Sequence, residues 1–254
     1  MIDLHCHILP KIDDGAQSLA DSILMAESAV QQGISHILCT PHHNNGRYSN
    51  PAKKVISKVS ELQQELDLRD IPLTLFEGQE VRIGGSLVDE IIKKEILFAD
   101  LSNKYILIEL PTREIPSYAD KLLFELLTKG HTPIIVHPER NYQLMETPND
   151  LIPFLEMGVL TQVTAASYLG GFGKKIGKIA KQMVENNMAH IIASDAHNTG
   201  KRGFFMKEAY EQIAKDLGSE KVIAMQQTVK DILNGDEVVV PEYTEIKRMK
   251  FKLF

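Results

Sequence analysis

The sequence predicts an α/β fold in which seven parallel strands alternate with helices and close into an irregular barrel. Apolar, β-rich runs alternate with helical patterns along all 254 residues, an ordinary length for one barrel domain. Several runs, such as YILIEL and HIIASD, are almost continuously apolar, as parallel strands buried on both faces are. The polar residues, which decide between a barrel and an open sheet, collect at the ends of these runs.

The predicted elements follow one another with short connections, which implies a parallel sheet with right-handed crossovers. Strands are expected at residues 2–7, 36–41, 73–80, 105–110, 133–137, 160–164 and 190–195. Ser18 and Asp21 resemble a capping box that starts the first helix, and Gly33 is a typical stop for it. Further helices are expected at an apolar stripe over residues 55–66, and at residues 117–130, 167–187, 206–217 and 220–234.

Composition narrows the function classes. The net charge of −6 argues against broad nucleic-acid binding, which usually requires a basic surface. Cys6 and Cys39 suggest no disulfide framework. The first residues lack the basic start and apolar run of a signal peptide, and no stretch approaches the roughly 20 apolar residues of a membrane span. We therefore expect a cytoplasmic protein.

Chemically active side chains follow six of the seven predicted strands. In a closed barrel these strand ends face one centre, whereas the outer strands of an open sheet would hold them too far apart. The sixth strand, in TQVTAAS, contributes no such residue. The residues at the strand ends are His5, His7, His42, His43, Glu80, Glu109, His137, Asp195 and His197.

This cluster favours a metal site. Buried carboxylates repel one another unless a positive charge neutralises them, and mixed His and carboxylate ligands suit Zn, Mn or Fe. On a strand, His5 and His7 face the same way and can bind one ion together, while Cys6 points into packing. Three histidines at strand starts, His36, His131 and His190, are expected to be structural.

Two arginines beside the predicted cluster indicate an anionic ligand. Arg140 lies three residues after His137, and Arg202 lies seven residues after Asp195. A guanidinium presents a planar fork that fits phosphate oxygens, so phosphate-ester hydrolysis is the natural interpretation. A cysteine-based phosphatase is excluded because it needs an arginine six residues after its cysteine. Ile12 and Asn45 stand at those positions.

The motifs DLHCH, DDG, TPHH, GQE, IEL, HPER and SDAH resemble, in this order, those of the PHP (polymerase and histidinol phosphatase) superfamily. In particular they are similar to its Gram-positive bacterial protein-tyrosine phosphatase branch, which is often encoded with capsule or exopolysaccharide genes. The similarity extends from residue 1 to about residue 234. It implies a distorted seven-stranded (β/α) barrel with three metal ions, usually Mn²⁺, with Fe, Zn or Mg as alternatives.

The resemblance also implies a role for each residue. The first ion would bind His5, His7, Glu80 and Asp195; the second Glu80, Glu109 and His137; the third Asp14, His42 and His197. Arg140 and Arg202 match the phosphate-binding arginines. The general acid stays open among Asp14, His42, His197 and a metal-bound water. Asp13 is expected in a turn or behind a ligand, and the role of His43 stays open.

The implied activity is phosphotyrosine hydrolysis, with a bacterial tyrosine kinase and its targets as substrates. The alternatives are a phosphatase of a small molecule such as histidinol phosphate, an exonuclease, a metal-dependent amidohydrolase, and a regulator that only binds the kinase. We expect one domain over residues 1–240 and a basic tail over residues 241–254. That tail either makes weak contact with an anionic membrane surface or is a flexible solubilising segment.

Overall fold

The structure is a computed structural model that describes residues 1–247, and strands and helices alternate along it as the sequence predicts. Every strand pairing in these residues is parallel. The strands are β1 (Ile2–Cys6), β2 (His36–Cys39), β3 (His42–His43), β4 (Thr74–Glu77), β5 (Glu80–Arg82), β6 (Tyr105–Glu109), β7 (Thr132–Val136), β8 (Leu160–Thr164) and β9 (Ile191–Ala193).

The helices lie between the strands and after the last one. Ser18 is confirmed as the cap of the first helix, because its hydroxyl accepts a hydrogen bond from the Asp21 backbone N–H at 3.1 Å, while the Asp21 carboxylate accepts from the Gln17 N–H at 3.2 Å. The helices are α1 (Leu19–Gln31), α2 (Ala52–Asp67), α3 (Leu87–Ile92), α4 (Ala119–Thr128), α5 (Tyr142–Glu146), α6 (Ile152–Met157), α7 (Ala165–Tyr168), α8 (Lys174–Glu185), α9 (Met206–Leu217) and α10 (Ser219–Asn234). None of them is long and apolar enough to cross a membrane.

Two sheets replace the single seven-stranded sheet of the prediction. Their orders are β1-β2-β4 and β3-β5-β6-β7-β8-β9, and neither closes on itself within residues 1–247. The predicted strands 36–41 and 73–80 each break in two, so one half pairs in each sheet. Pro41, which has no N–H to donate, interrupts the first strand. Gly78 interrupts the second where the backbone approaches Leu38 so closely that a Cβ would lie 2.7 Å from its Cγ.

Packing brings strands of both sheets together. Leu4 of β1 and Leu38 of β2 share one buried cluster with Leu107 of β6 and Ile191 of β9, and Ile232 of α10 covers it. A larger cluster packs the helices against the sheets. The carboxyl ends of the strands therefore meet along one rim of the molecule.

Residues 241–247, where the sequence predicts a tail, contact the body of the chain. The Tyr243 hydroxyl donates to a Glu156 carboxylate oxygen at 2.8 Å, and the Thr244 N–H donates to the Asn186 carbonyl at 3.0 Å. Ile246 is buried. The basic residues of the predicted membrane contact from Arg248 onward lie outside the described residues.

Candidate metal centre

The rim gathers all the residues predicted to bind metal. His5 lies near the end of β1. His42 and Glu80 are the first residues of β3 and β5, and Glu109 is the last residue of β6. His137 directly follows β7. His7, Asp195 and His197 follow β1 and β9 on the same side. Of these eight residues, seven are buried and His137 is half-buried. Asp14, on the loop after β1, is the exposed member of the set.

Two carboxylates lie against the paired histidines His5 and His7. The Nε2 atoms of His5 and His7 lie 3.2 Å apart. Each lies 3.3–3.4 Å from Glu80 Oε2 and from Asp195 Oδ1. Ligands about 2.1 Å from one ion, at tetrahedral or octahedral angles, lie about 3.0–3.4 Å from each other. His5, His7 and Glu80 form one group of possible ligands, and Asp195, predicted for the same ion, lies beside both histidines without belonging to that group.

A second group surrounds Asp14. Its Oδ1 lies 3.2 Å from His42 Nε2 and 3.5 Å from His197 Nε2. His7 belongs to the same group of possible ligands. The neighbouring His197 and His42 imidazoles, in that order, hold the pKa of the Asp14 carboxyl well below its usual range. The group matches the third predicted ion, and Asp14 is ionised at neutral pH.

The remaining predicted set is only partly gathered. Glu80 Oε1 lies 2.7 Å from His137 Nε2. Glu109, however, forms a group of possible ligands with Glu80 and His42, and His137 is not part of that group. Arg82 Nη2 lies 3.0 Å from Glu109 Oε2, so this carboxylate has an arginine beside it. Sequence reasoning missed Arg82, although its place two residues after Glu80 on a strand puts both on one face.

Several buried polar atoms of the cluster lack a hydrogen-bond partner, which indicates whether the cluster suits cations. His42 Nδ1, Glu80 Oε2, Glu109 Oε2 and His197 Nε2 are buried and have no hydrogen-bond partner among residues 1–247. Buried polar groups normally have partners, because an unpaired one costs free energy. His42 Nδ1 and Glu80 Oε2 lie only 2.7 Å apart without the alignment of a hydrogen bond. Such lone pairs, facing one another, fit divalent ions.

The pKa shifts describe the same site. Burial, followed by the charge of Glu80, raises the pKa of Glu109 to about 7, which the charge of Arg82 opposes. Burial, followed by the charge of Arg140, lowers the pKa of His137 to about 4. The His137 imidazole is therefore neutral at pH 7, the form in which histidine binds a metal.

Orienting hydrogen bonds hold the first two histidines. Asp13 Oδ2 lies 2.7 Å from His7 Nδ1, as the expectation of a residue behind a ligand requires. Gln162 Oε1 lies 2.8 Å from His5 Nδ1. These bonds leave each Nε2 free to face the cluster. Gln162 was missed because the sixth strand seemed inert; its sequence signal is a polar residue inside a buried run.

The loop that carries Asp13 and Asp14 depends on Gly15. A Cβ at Gly15 would lie 2.0 Å from the His7 carbonyl oxygen and 2.5 Å from His7 Cβ. The Gly15 N–H donates to Asp13 Oδ1 at 2.8 Å, which closes the turn. The sequence interpretation of a sharp turn at Gly15 thus has its cause in close packing, because the backbone there needs no positive φ.

Both predicted phosphate-binding arginines reach the cluster. Arg140 Nη2 lies 2.5 Å from Asp195 Oδ2, and Arg202 Nη1 lies 3.3 Å from Asp14 Oδ2. The two arginines line a cavity of about 210 Å³. Its other lining residues include His42, Glu109, Thr112, His137, Asn141 and Asp195. The cavity thus places fixed positive charge beside the gathered carboxylates.

His43 stands apart from the cavity. Its Nδ1 accepts from the Asn50 N–H at 3.0 Å, and its Nε2 lies 3.5 Å from Glu90 Oε2. Burial lowers its pKa, which the charge of Glu90 opposes. His43 is therefore a buried residue that holds the following loop.

The fold and the gathered donors are those of α/β proteins that hold divalent metal ions at the carboxyl ends of parallel strands. The chain belongs to the family described as capsular polysaccharide synthesis, CpsB/CapC, whose model matches residues 1–233. This confirms the resemblance drawn from the motifs.

Individual relatives cover almost the whole chain. Tyrosine-protein phosphatase YwqE of Bacillus subtilis is 42% identical over 250 residues, which are 98% of each chain. A putative tyrosine-protein phosphatase, CapC of Staphylococcus aureus, is 38% identical over 94% of this chain and 93% of its own.

Solved structures agree. One from work on YwqE of Bacillus subtilis and CpsB of Streptococcus pneumoniae, described as metal-dependent tyrosine phosphatases, has a TM-score of 0.94. It is 41% identical and covers 98% of this chain and 100% of its own. A β-aspartyl dipeptidase from Fervidobacterium islandicum is 13% identical with a TM-score of 0.56, over 96% of this chain and 77% of its own. It shares the fold alone.

Proposed function

We propose that this chain is a metal-dependent protein-tyrosine phosphatase that hydrolyses phosphotyrosine. The observation that carries the proposal is the cavity where Arg140 and Arg202 stand beside the converging donors of the rim. A cation cluster and two guanidinium groups together suit a phosphate dianion better than an amide, which carries no charge. The full-length similarity to YwqE supports phosphotyrosine as the ester.

The proposed cofactor is a set of three divalent ions, with Mn²⁺ first and Fe, Zn or Mg as alternatives. His5, His7, Glu80 and Asp195 would hold one ion, and Asp14, His42 and His197 a second. Glu80 and Glu109, with His137 or His42, would hold the third. When bound, such ions activate water for attack and neutralise phosphate charge.

The proposed roles of the protein groups follow from their contacts. Arg140 and Arg202 bind the non-bridging phosphate oxygens, exchanging their present carboxylate partners for the substrate. Their fixed positions stabilise the charge that builds up in the transition state. The ionised Asp14 does not donate a proton at neutral pH. A phenolate leaving group, with a pKa near 10, needs less protonation than an alkoxide would.

We propose further that the two sheets act as one distorted seven-stranded barrel. Cys6 of β1 forms a parallel bridge with Ala196 after β9. The Asp195 N–H donates to the His5 carbonyl at 2.8 Å, and the His7 N–H donates to the Ala196 carbonyl at 2.9 Å. If β2 with β3 and β4 with β5 are each counted as one interrupted strand, the nine become seven.

The proposed substrate is a phosphotyrosine protein in the cytoplasm, with a bacterial tyrosine kinase of capsule synthesis as the candidate. The family description connects the chain with capsular polysaccharide synthesis. The net charge of −6 makes a nucleic-acid substrate unfavourable. The predicted membrane contact of the C-terminal tail stays a prediction.

The test is phosphate release from a phosphotyrosine peptide, a phosphoserine peptide and histidinol phosphate, each with Mn²⁺ and after chelation. We expect turnover of the phosphotyrosine peptide that chelation abolishes and Mn²⁺ restores. A preference for histidinol phosphate would keep the metal site and contradict the protein substrate. No release from any of the three by metal-loaded protein would contradict the phosphatase.

A further inference from the structure

The rim contains two arginines that neither take part in the proposed reaction nor form an ion pair within residues 1–247. Residues 1–247 include six arginines, and four of them form ion pairs: Arg69, Arg82, Arg140 and Arg202. Arg47 and Arg113 form none with any residue in that part of the chain, and both are exposed. Both lie on loops that follow strands of the rim, after β3 and β6.

Arg47 is held close to the cavity by an aromatic stack. The Tyr48 ring lies parallel to the His42 ring, with 6.1 Å between centroids and 6° between planes. The Arg47 guanidinium carbon lies 5.0 Å from the Tyr48 centroid. Since His42 lines the cavity, Tyr48 is a platform between the cavity and the Arg47 guanidinium.

The loop around Arg47 is built rather than loose. The Asn45 side-chain oxygen accepts from the backbone N–H groups of Arg47 at 3.1 Å and Tyr48 at 2.8 Å. The Asn50 side-chain amide donates to the His42 carbonyl at 2.8 Å. The two Asn45 bonds close a turn within the loop, and the Asn50 bond ties its far end to β3. Such order reduces the entropy that the loop would lose on binding a ligand.

Arg113 has a similar position on the loop after β6. It follows Thr112, which lines the cavity, and the Thr112 carbonyl accepts from the Tyr142 N–H at 2.9 Å. The Arg113 carbonyl accepts from the Gln143 N–H at 3.2 Å. The backbone on both sides of this cavity wall is therefore fixed, and the Arg113 side chain is free to meet a ligand that extends out of the cavity.

We propose that Arg47 and Arg113 select phosphotyrosine peptides that carry Asp or Glu beside the phosphotyrosine. The inference rests on the proposed phosphatase function. A phosphate placed at Arg140 and Arg202 leaves the neighbouring peptide residues to cross the rim, where unpaired guanidinium groups attract carboxylates. Because the protein as a whole is acidic, two unpaired positive charges beside the cavity favour a peptide that carries carboxylates there.

The experiment compares two phosphotyrosine peptides that differ only in having Glu or Lys on both sides of the phosphotyrosine. The readout is the ratio of their kcat/KM values with the Mn²⁺-loaded full chain. We expect a ratio of about 10 in favour of the Glu peptide at low salt, falling toward 1 near 1 M salt as screening increases. A ratio of 1 or below at low salt would overturn the proposal.

Variants locate the preference. Arg47→Glu and Arg113→Glu are each expected to lower the ratio several-fold, and together they are expected to reverse it. Lys230→Glu, the matched control, makes the same charge change at an exposed residue beside Met1 and Ile2, at the amino ends of the strands. It should leave the ratio unchanged. An equal loss in the control would assign the effect to net charge and contradict the proposal.

The platform has its own test. Tyr48→Phe keeps the ring under Arg47 and should keep the ratio, whereas Tyr48→Ala should lower it as Arg47→Glu does. An unchanged ratio in Arg47→Glu with intact turnover of both peptides would overturn the inference and leave the phosphatase function standing. Absence of turnover of p-nitrophenyl phosphate by the unaltered protein would instead contradict the function itself.

Discussion

The two ends of the same strands hold histidines with opposite surroundings. At the amino ends, His36 Nδ1 lies 2.8 Å from the Ser35 hydroxyl, and His131 Nδ1 lies 2.7 Å from the Asn103 carbonyl. His190 accepts from the Thr161 N–H at 3.0 Å. None of the three has a carboxylate within ion-pair distance in residues 1–247.

At the carboxyl ends, each histidine of the cluster faces carboxylates. His42, for example, contacts Glu80, Glu109 and Asp14 through its two nitrogens. Residue type is the same at both ends, and so is burial for His190. The two ends differ in the neighbours of the histidines, because strands from both sheets place carboxylates beside the histidines at the carboxyl ends. A histidine therefore indicates a metal site only together with its neighbours.

The largest effect on turnover is expected from substitutions at the carboxyl ends of the strands, compared with a substitution at the amino ends. His5→Ala and Asp195→Asn each remove a donor from the tightest group and should lower turnover at least ~10³-fold with loss of bound metal. His131→Ala, its counterpart at the amino ends, should keep both. Elemental analysis and phosphate release measure this. Full metal content in His5→Ala would contradict the assignment.

Arg140→Ala tests the anion side of the rim. Without its guanidinium, the phosphate and the transition state lose one charged partner, and kcat/KM should fall about 10²-fold. Metal content should stay near that of the unaltered protein. The cation–π contact of Arg140 with Phe172, 5.4 Å from the ring centroid, is lost as well. Normal turnover of Arg140→Ala would exclude Arg140 from phosphate binding.

Gln162→Leu sharpens the comparison at the strand predicted to be inert. Loss of the bond to His5 Nδ1 lets the imidazole rotate, so metal affinity should fall roughly 10–100-fold. Titration with a competing chelator measures the affinity. Gln162→Glu retains an acceptor and should retain most of it. Equal affinities in both variants would limit Gln162 to packing.

The smallest expected effect belongs to His190 and concerns stability. Burial, followed by the charge of Lys221, lowers its pKa to about 4, below the unfolded value of about 6.5. The unfolded chain then binds more protons between these values. The contribution of neutral His190 to the free energy of unfolding is complete above pH 6.5, and the free energy of unfolding falls by about 2 kcal/mol between pH 7 and pH 5. Urea unfolding at both pH values measures this change, and we expect the free energy of unfolding of His190→Asn to lack the fall of about 2 kcal/mol.

The sequence alone determined the alternation of parallel strands with helices and the strand ends where charged residues gather, whereas Asp14 was predicted only through the resemblance of the motifs. Buried parallel strands have continuous apolar runs, and the charged residues follow those runs at the carboxyl ends. Both features can therefore be recognised in the sequence. The helix cap at Ser18 and the pairing of His5 with His7 depend on spacings of a few residues. Such local geometry follows from the periods of helix and strand.

Only the tertiary structure decided which donors meet. Glu109 lies beside Arg82 and forms a group with His42 rather than His137, and Gln162 reaches across from β8 to β1, because packing sets distances between residues far apart in the chain. The interruptions after Cys39 and Glu77 likewise split the expected single sheet into two. Periodicity specifies which face a residue takes, but contacts over more than a hundred residues arise only when the strands come together.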